Sequence, residues 1–196
     1  MQKKIDRRVR KTKSQLRTGL AQLMQEKNIR EITVKELVEK VDINRSTFYL
    51  HYSDIPGMLQ EIEDEILREM EMALSQYPME EGENSIYFFM QEMFRILERN
   101  REMGCALVGP HGDIAFIRRI ETFLEQYSQQ IGKDMFPEKL SEIQYFYSFC
   151  WNGCLGFIKT WLEKGEDRTP EYAAKLMFQM VKNSMRAFRE YAEERF

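Results

Sequence analysis

Apolar residues in this chain recur every three to four positions almost from end to end, and no stretch alternates long enough to make a strand. That period confines the backbone to helices, because only a 3.6-residue turn gathers such residues on one side. Val9, Leu16, Leu20, Leu23 and Met24 form the first stripe, and Asn28 stands where a left-handed residue can close the helix. Thr33-Val-Lys-Glu36 spells a capping box, in which the Thr hydroxyl and the Glu carboxylate each accept one otherwise orphaned amide. Val34, Leu37, Val38 and Val41 follow on one face of a short amphipathic helix. Asp42-Ile43-Asn44 breaks it, and Asn44 can cap a second short helix over 45–50. Ser53 or Asp54 caps a long helix over 55–76, with Pro56 in its permissive first turn. Residues 77–84 read as a connector, and helical patterns resume over 85–99, 113–131, 141–162 and 170–194. The linkers carry Gly104, Gly109-Pro110, Gly112, Pro137 and Gly165. The predicted fold class is all-α.

Charge divides the chain in two. Residues 1–60 hold thirteen Lys/Arg against seven Asp/Glu, and residues 61–196 hold sixteen against twenty-five. Eight of the basic residues fall within positions 1–17, where Asp6 is the one acid. Aromatic residues divide the opposite way, with three before residue 60 and twenty-one after it. A basic, aromatic-poor head suits a polyanion, and an acidic, aromatic-rich body suits a core, a partner surface or a pocket. We therefore expect a head over 1–54 and a body over 55–196.

Within the head, two short helices joined by a tight turn have the dimensions of a helix-turn-helix, at about 33–52. Val38, Val41, Ile43 and Phe48 can form the small core that sets the angle between them. Arg45, Ser46, Thr47 and Tyr49 are then left on the exposed side of the second helix. Arg can fork onto guanine, while Ser, Thr and Tyr reach phosphates or thymine methyls. Lys35 and the amides at the Thr33 end suit a phosphate, and His51 and Tyr52 follow where side chains meet the DNA backbone.

The run from Ile32 to Tyr52, with Thr-Phe-Tyr-x-His-Tyr at 47–52, resembles the DNA-binding motif of TetR-type transcriptional regulators, over roughly residues 8–66. The resemblance implies backbone contacts at Thr33, Val34 and Lys35. It implies base and phosphate contacts at Arg45, Ser46 and Tyr49, and a further phosphate contact at His51. Asp42 departs from the pattern where glycine or alanine is common, and Ile55 where a lysine often touches phosphate. In the body, Gly112-Asp-x-x-Phe116 and Gly153-x-x-Gly156-x-x-x-x-Trp161-Leu162 are similar to a subgroup that includes regulators of dihydroxyacetone kinase operons. Some members of that subgroup act as co-activators bound to another protein.

No charged residue falls between Ile143 and Ile158, and apolar side chains point all round that helix, which predicts burial. The last helix carries a wide stripe through Met177, Met180, Met185 and Phe188. A two-fold four-helix seam can cover both helices, with Gly153 and Gly156 allowing close approach, so a homodimer is expected. An effector pocket would draw on Phe89, Met93, Phe116, Tyr127, Tyr145, Phe149 and Trp151, for each of which core packing is the plainer role. Cys150 and Cys154 share a helix face, open to a thiol-sensing reading or to inert packing.

Enzyme chemistry finds little support. There is no phosphate-cradling Gly loop and no nucleophile elbow, and the two histidines are His51 and His111. No cofactor or metal is expected. Three cysteines without a CxxC pair, and no long apolar run, lead us to expect a cytoplasmic protein without a membrane span. The expected function is a sequence-specific regulator, of repressor type, that reads a near-palindromic operator in double-stranded DNA as a homodimer. A small-molecule effector of unknown identity would release or modulate it. The alternative is a co-activator that keeps the fold and acts through a protein partner.

Overall fold

The computed structural model describes residues 2–135, 140–164 and 167–193. Among them there is no strand, so the fold is all-α, as the period predicts. The described helices are α1 (Gln2–Glu26), α2 (Val34–Lys40), α3 (Arg45–Tyr49), α4 (Ile55–Gln76), α5 (Glu83–Arg99), α6 (Arg101–Val108), α7 (Ile114–Met135), α8 (Leu140–Lys164) and α9 (Pro170–Glu193). Short 3-10 turns lie at Ile29–Glu31 and Met79–Glu81. The linker residues Pro137 and Gly165 lie outside the described residues.

The helices fall into two compact units, Met1–Leu67 with Asn100–Phe116, and Arg68–Arg99 with Ile117–Phe196. The amino-terminal unit therefore reaches past residue 54. Its core is built from Leu16, Leu20 and Met24 of α1, Leu37 and Val38 of α2, Phe48 of α3, and Met58 and Ile62 of α4, all buried. Two ion pairs align α1 with α4. Lys13 Nζ meets Glu61 Oε1 at 2.6 Å, and one turn later Arg17 Nη1 meets Glu65 Oε2 at 3.2 Å.

Helix α6 is a correction to the sequence reading, which left its residues in a linker around Gly104. It forms because Met103, Gly104, Ala106 and Leu107 are buried where it packs along α1. At its start Asn100 Oδ1 accepts a hydrogen bond from Arg17 Nη2 at 2.7 Å. Asn28 is a second correction. Its φ of −64° and ψ of 146° are extended, and its side chain accepts from the Arg30 amide, so it starts the 29–31 turn rather than closing α1 with a left-handed residue.

In the second unit α5 packs along α9, and α8 along the same helix. Phe94 is fully buried and meets Phe157 and Trp161 edge-on, with ring centroids 5.9 and 5.1 Å apart. The Trp161 indole N–H donates to the Arg168 carbonyl at 3.1 Å. Further along the pair, Phe146 stacks on Phe188 at 4.8 Å.

The charge-free run of α8 predicts burial all round, yet one chain covers only part of it. Tyr145 and Phe149 are 80% and 68% exposed. A Cβ built at Gly153 or Gly156 meets nothing within 4 Å. Helix α9 likewise leaves Tyr172, Leu176, Met180 and Tyr191 exposed.

Gly19 marks the closest approach of α1 to α2. A Cβ there would lie 2.3 Å from Val41 Cγ1 and 3.1 Å from Leu37 Cδ1. Val41 is β-branched and Leu37 is fully buried, so neither can step aside freely. Gly19→Ala should destabilise the amino-terminal unit by about 1–3 kcal/mol despite the better helix propensity of Ala. A thermal melt with a midpoint equal to or above wild type would show that the crossing relaxes without strain.

Candidate nucleic-acid interface

Helix α3 is one turn and a half long, too short to be stable alone. It is held from both ends and from beneath. At its start the Asn44 side chain accepts from the Ser46 amide. Beneath it Phe48 is fully buried, with Tyr52 at 5.8 Å and Tyr49 edge-on at 5.4 Å. Asp42, in the preceding turn, has a φ of +52°, the left-handed region where glycine is easiest. Asp is among the side chains that tolerate it, so the departure from the family pattern still builds the turn.

Helix α2 begins with the capping box that its sequence spells. The Glu36 amide donates to Thr33 Oγ1 at 3.2 Å, and the Thr33 amide and hydroxyl donate to Glu36 Oε2 at 2.9 and 2.8 Å. Lys27, just beyond α1, pairs with the same carboxylate. The hydrogen bond from Lys27, then those from Thr33, hold the Glu36 carboxyl down at about 2. The Thr33 hydroxyl is thus committed within the box. Lys35 is exposed, 3.9 Å from Glu39, and can turn to a phosphate.

On α3, Arg45, Ser46 and Tyr49 are exposed and Thr47 is half-buried. Arg45 Nη2 donates to Tyr49 Oη at 3.2 Å, and its guanidinium lies 5.6 Å from the centre of the Tyr49 ring. The Ser46 hydroxyl donates to Asn44 Oδ1 at 2.9 Å, which leaves it acceptor capacity toward a base or sugar. His51 is half-buried. Tyr52 is buried at 8% exposure, with Lys13 Nζ 5.3 Å from its ring centre, so its ring belongs to the core. Ile55 is buried as well, which explains an apolar residue where the family pattern has lysine.

Leu50 was not among the residues singled out from sequence. It is 79% exposed beside Tyr49, an apolar group on a face otherwise polar. The signal was available: the helical register that turns Phe48 inward turns Leu50 outward.

Helix α1 carries Arg7, Arg8, Arg10 and Lys11 into solvent, or half so for their neighbours, while Lys13 and Arg17 are tied to α4. Because Lys13 sits over Tyr52, these basic turns leave the unit beside α3.

The residues expected to line an effector pocket differ in burial. Phe89 and Phe116 are buried, the latter in the amino-terminal unit. Met93, Tyr127 and Trp151 are half-buried. Tyr145 and Phe149 stand on the open face of α8, beside Gly153 and Gly156, and so face solvent rather than an interior. Met177 is buried, and Met185 and Phe188 are half-buried. An open cleft of about 540 Å³ lies in the amino-terminal unit, between the 29–31 turn and Gly112–Ala115. Burial raises both Cys150 and Cys154 to about 11, so at neutral pH their thiols stay protonated.

A capped helix, a tight left-handed turn and a short second helix seated on an aromatic core define the helix-turn-helix class. Residues 84–183 match the TetR-type family described as a transcriptional regulator C-terminal region. The chain belongs to the TetR-type transcriptional regulators. Over 190 residues, 92% of this chain, it is 26% identical to the HTH-type transcriptional regulator YxbF of Bacillus subtilis (strain 168). It spans about half, 47%, of that relative's length. Among solved structures, the fatty acid degradation regulator FadR of Bacillus halodurans is similar, with a TM-score of 0.62 at 15% identity, over 86% of this chain and 96% of that one. A TetR transcriptional regulator of Streptococcus agalactiae aligns with a TM-score of 0.52 at 21% identity, over 92% of this chain and 99% of that one. These two likenesses speak for the fold. Among the described residues no helix is long and apolar enough to cross a membrane.

The depressed Glu36 carboxyl makes the α1–α2 junction acid-sensitive. Its ordinary value is 4.5 and its folded value about 2. Its contribution to stability is therefore complete above the higher value and is lost as pH falls through the lower one. The gap in melting temperature between wild type and Glu36→Gln should be constant above about pH 5 and close as pH falls toward 2. A gap that persists at the acid end would assign the effect to packing rather than to charge.

Proposed function

We propose that the chain is a sequence-specific DNA-binding regulator that acts as a homodimer, and that it represses by occupying a near-palindromic operator. The observation that carries this reading is the exposed face of α3. Arg45, with donors to spare, stands there beside Tyr49 and Leu50 on a helix whose opposite side is anchored by Phe48. Arg45 suits a guanine edge, Leu50 a thymine methyl, and Tyr49, Lys35, His51 and the basic turns of α1 suit phosphates. Val34, Ser46 and Thr47 complete the surface, and Thr33, whose amide and hydroxyl are both engaged by Glu36, holds the start of α2 in place beside them. Tyr52 supports this surface from within. A small-molecule effector bound in the second unit would modulate DNA binding. The repressor sign follows the commonest use of such a surface, which is to block a site by occupying it.

Dimerisation is supported by the open faces of α8 and α9. Tyr145 and Phe149 of α8, and Leu176, Met180 and Tyr191 of α9, are exposed large apolar side chains on two neighbouring helices of one unit. Exposed apolar residues on paired helices suit an interaction surface, and a second copy is the partner that a two-fold four-helix seam requires. Met180 is 54% exposed in the single chain, so Met180→Glu leaves the protomer's own core intact. Light scattering should show a dimer for wild type and a monomer for Met180→Glu; a wild-type monomer at micromolar concentration would sink the dimer.

The DNA reading is tested by selection from random duplexes. An enriched near-palindrome is expected, its half-sites about one helical turn or slightly more apart. Arg45→Ala should weaken binding to it by about 1–3 kcal/mol and relax preference at one base pair per half-site. Deleting residues 1–11 should lower affinity and flatten the salt dependence by about 0.9 per lost phosphate contact, while the base preference persists. No enriched sequence, with Arg45→Ala neutral, would hand the function to the co-activator reading.

A further inference from the structure

We propose that Tyr49 sets base preference through Arg45, holding the guanidinium in the orientation that forks onto a guanine. This rests on the DNA-reading proposal above and deepens it, by naming a G·C pair as the feature read and Tyr49 as a specificity-determining positioning residue. Arg45 and Tyr49 are four apart on α3 and therefore share one face. Two contacts join them: the hydrogen bond from Arg45 Nη2 to Tyr49 Oη at 3.2 Å, and the guanidinium 5.6 Å from the ring centre. The ring in turn is braced edge-on by Phe48, which is fully buried. A line of contacts thus runs from the core of the unit to an exposed arginine.

The chemistry of the pair makes it more than an incidental contact. Arg offers five N–H donors in a rigid fork, and a single one engages Tyr49. The others remain for O6 and N7 of guanine, the bidentate pairing that only a G·C pair offers in the major groove. The Tyr49 hydroxyl accepts from Arg45, so its own proton is free to be donated to a phosphate oxygen. One side chain can then tie the register of the DNA backbone to the aim of the base-reading group. Ser46 cannot take this part, since its hydroxyl donates to Asn44. An arginine without such a brace is a long flexible side chain that must be ordered on binding, and it discriminates less sharply between bases.

The experiment uses the full chain and the duplex enriched by selection, with variants carrying each other base pair at the position where Arg45→Ala relaxes preference. Affinities are read by fluorescence anisotropy for wild type, Tyr49→Phe, Tyr49→Leu, and each of these combined with Arg45→Ala. Tyr49 is 49% exposed, so both replacements should fold, and their melting curves check this. Tyr49→Phe keeps the ring and removes the hydroxyl, and should reduce the preference for G·C by about threefold to tenfold. Tyr49→Leu removes both contacts and should reduce it further. In the Arg45→Ala background neither replacement should alter base preference, because the group being aimed is gone. If both replacements weaken binding equally on every duplex and leave the preference intact, Tyr49 is a phosphate contact alone and the proposal is overturned. A preferred base other than guanine at that position also overturns it. If wild type selects no sequence at all, the DNA reading itself fails, and that result is distinguishable from the other two.

Discussion

The burial of one ring, that of Phe48, holds the exposed face of α3 in place. Helix α3 is five residues long, below the length at which helical hydrogen bonds outweigh the cost of nucleation. Its existence depends on being tied down, and Phe48 is the tie: fully buried and in contact with Tyr49 and Tyr52, on a helix that packs against α2. The exposed side chains of α3 all hang from that contact. The side chains facing outward need make no contribution to stability, which leaves them free to be chosen for chemistry. This division of labour within five consecutive residues is what a reading helix requires.

The same economy governs the basic residues near the start of the chain. Counted together they look like one polyanion-binding tail, but the structure separates them by role. Lys13 and Arg17 each meet a glutamate on α4, and Arg17 also holds Asn100 at the head of α6. One further contact places Lys13 over Tyr52. These two cations set how α1 lies against the elements that support α3. Arg7, Arg8 and Lys11 are exposed and extend the charge outward. Exposed ion pairs add little stability individually, so their value here is in alignment: two rungs, one helical turn apart, fix both position and rotation.

Local chemistry made much of this legible from residues alone. Thr33 with Glu36, Asn44, and Asp54 before Pro56 are caps whose geometry is decided within four residues; the first two were readable as such, and the third as one of the pair Ser53 and Asp54. The limits of α4, set at its start by Asp54 and at its end by the break before Pro78, were readable for the same reason. What escaped is what distant residues decide. Helix α6 is eight residues long, carries a glycine, and forms because α1 covers it. Gly19 looks like a weak point in a helix until Val41 arrives from the neighbouring one. Asn28 has two conformations open to it locally, and the turn that follows selects the extended one. Of the surface around α3, the residues on the helix were readable from its register. The burial of Tyr52 and Ile55 was not, because it depends on how α1 and α4 close over them.

Helix α8 shows a different kind of limit. Sixteen residues without a charge state that water must be kept from that helix, but they do not state by what. Within one chain, α9 covers a part, with Phe188 stacked on Phe146, and the rest stays open around Tyr145 and Phe149. Periodicity records the demand for burial and is silent on whether its source is the same chain or another. The residues themselves narrow the choice. An enclosed ligand site would be built from aromatic walls with a few convergent polar groups, whereas this face alternates large rings with Ser148, Asn152 and two glycines that offer a Cβ nothing to touch. Glycine-stepped and partly polar, such a face has the room for a close helix approach that the proposed dimer would use. What the structure adds is that Tyr145 and Phe149 share the open face of α8 with the two glycines, while Phe89 is buried and Met93 and Trp151 are half-buried.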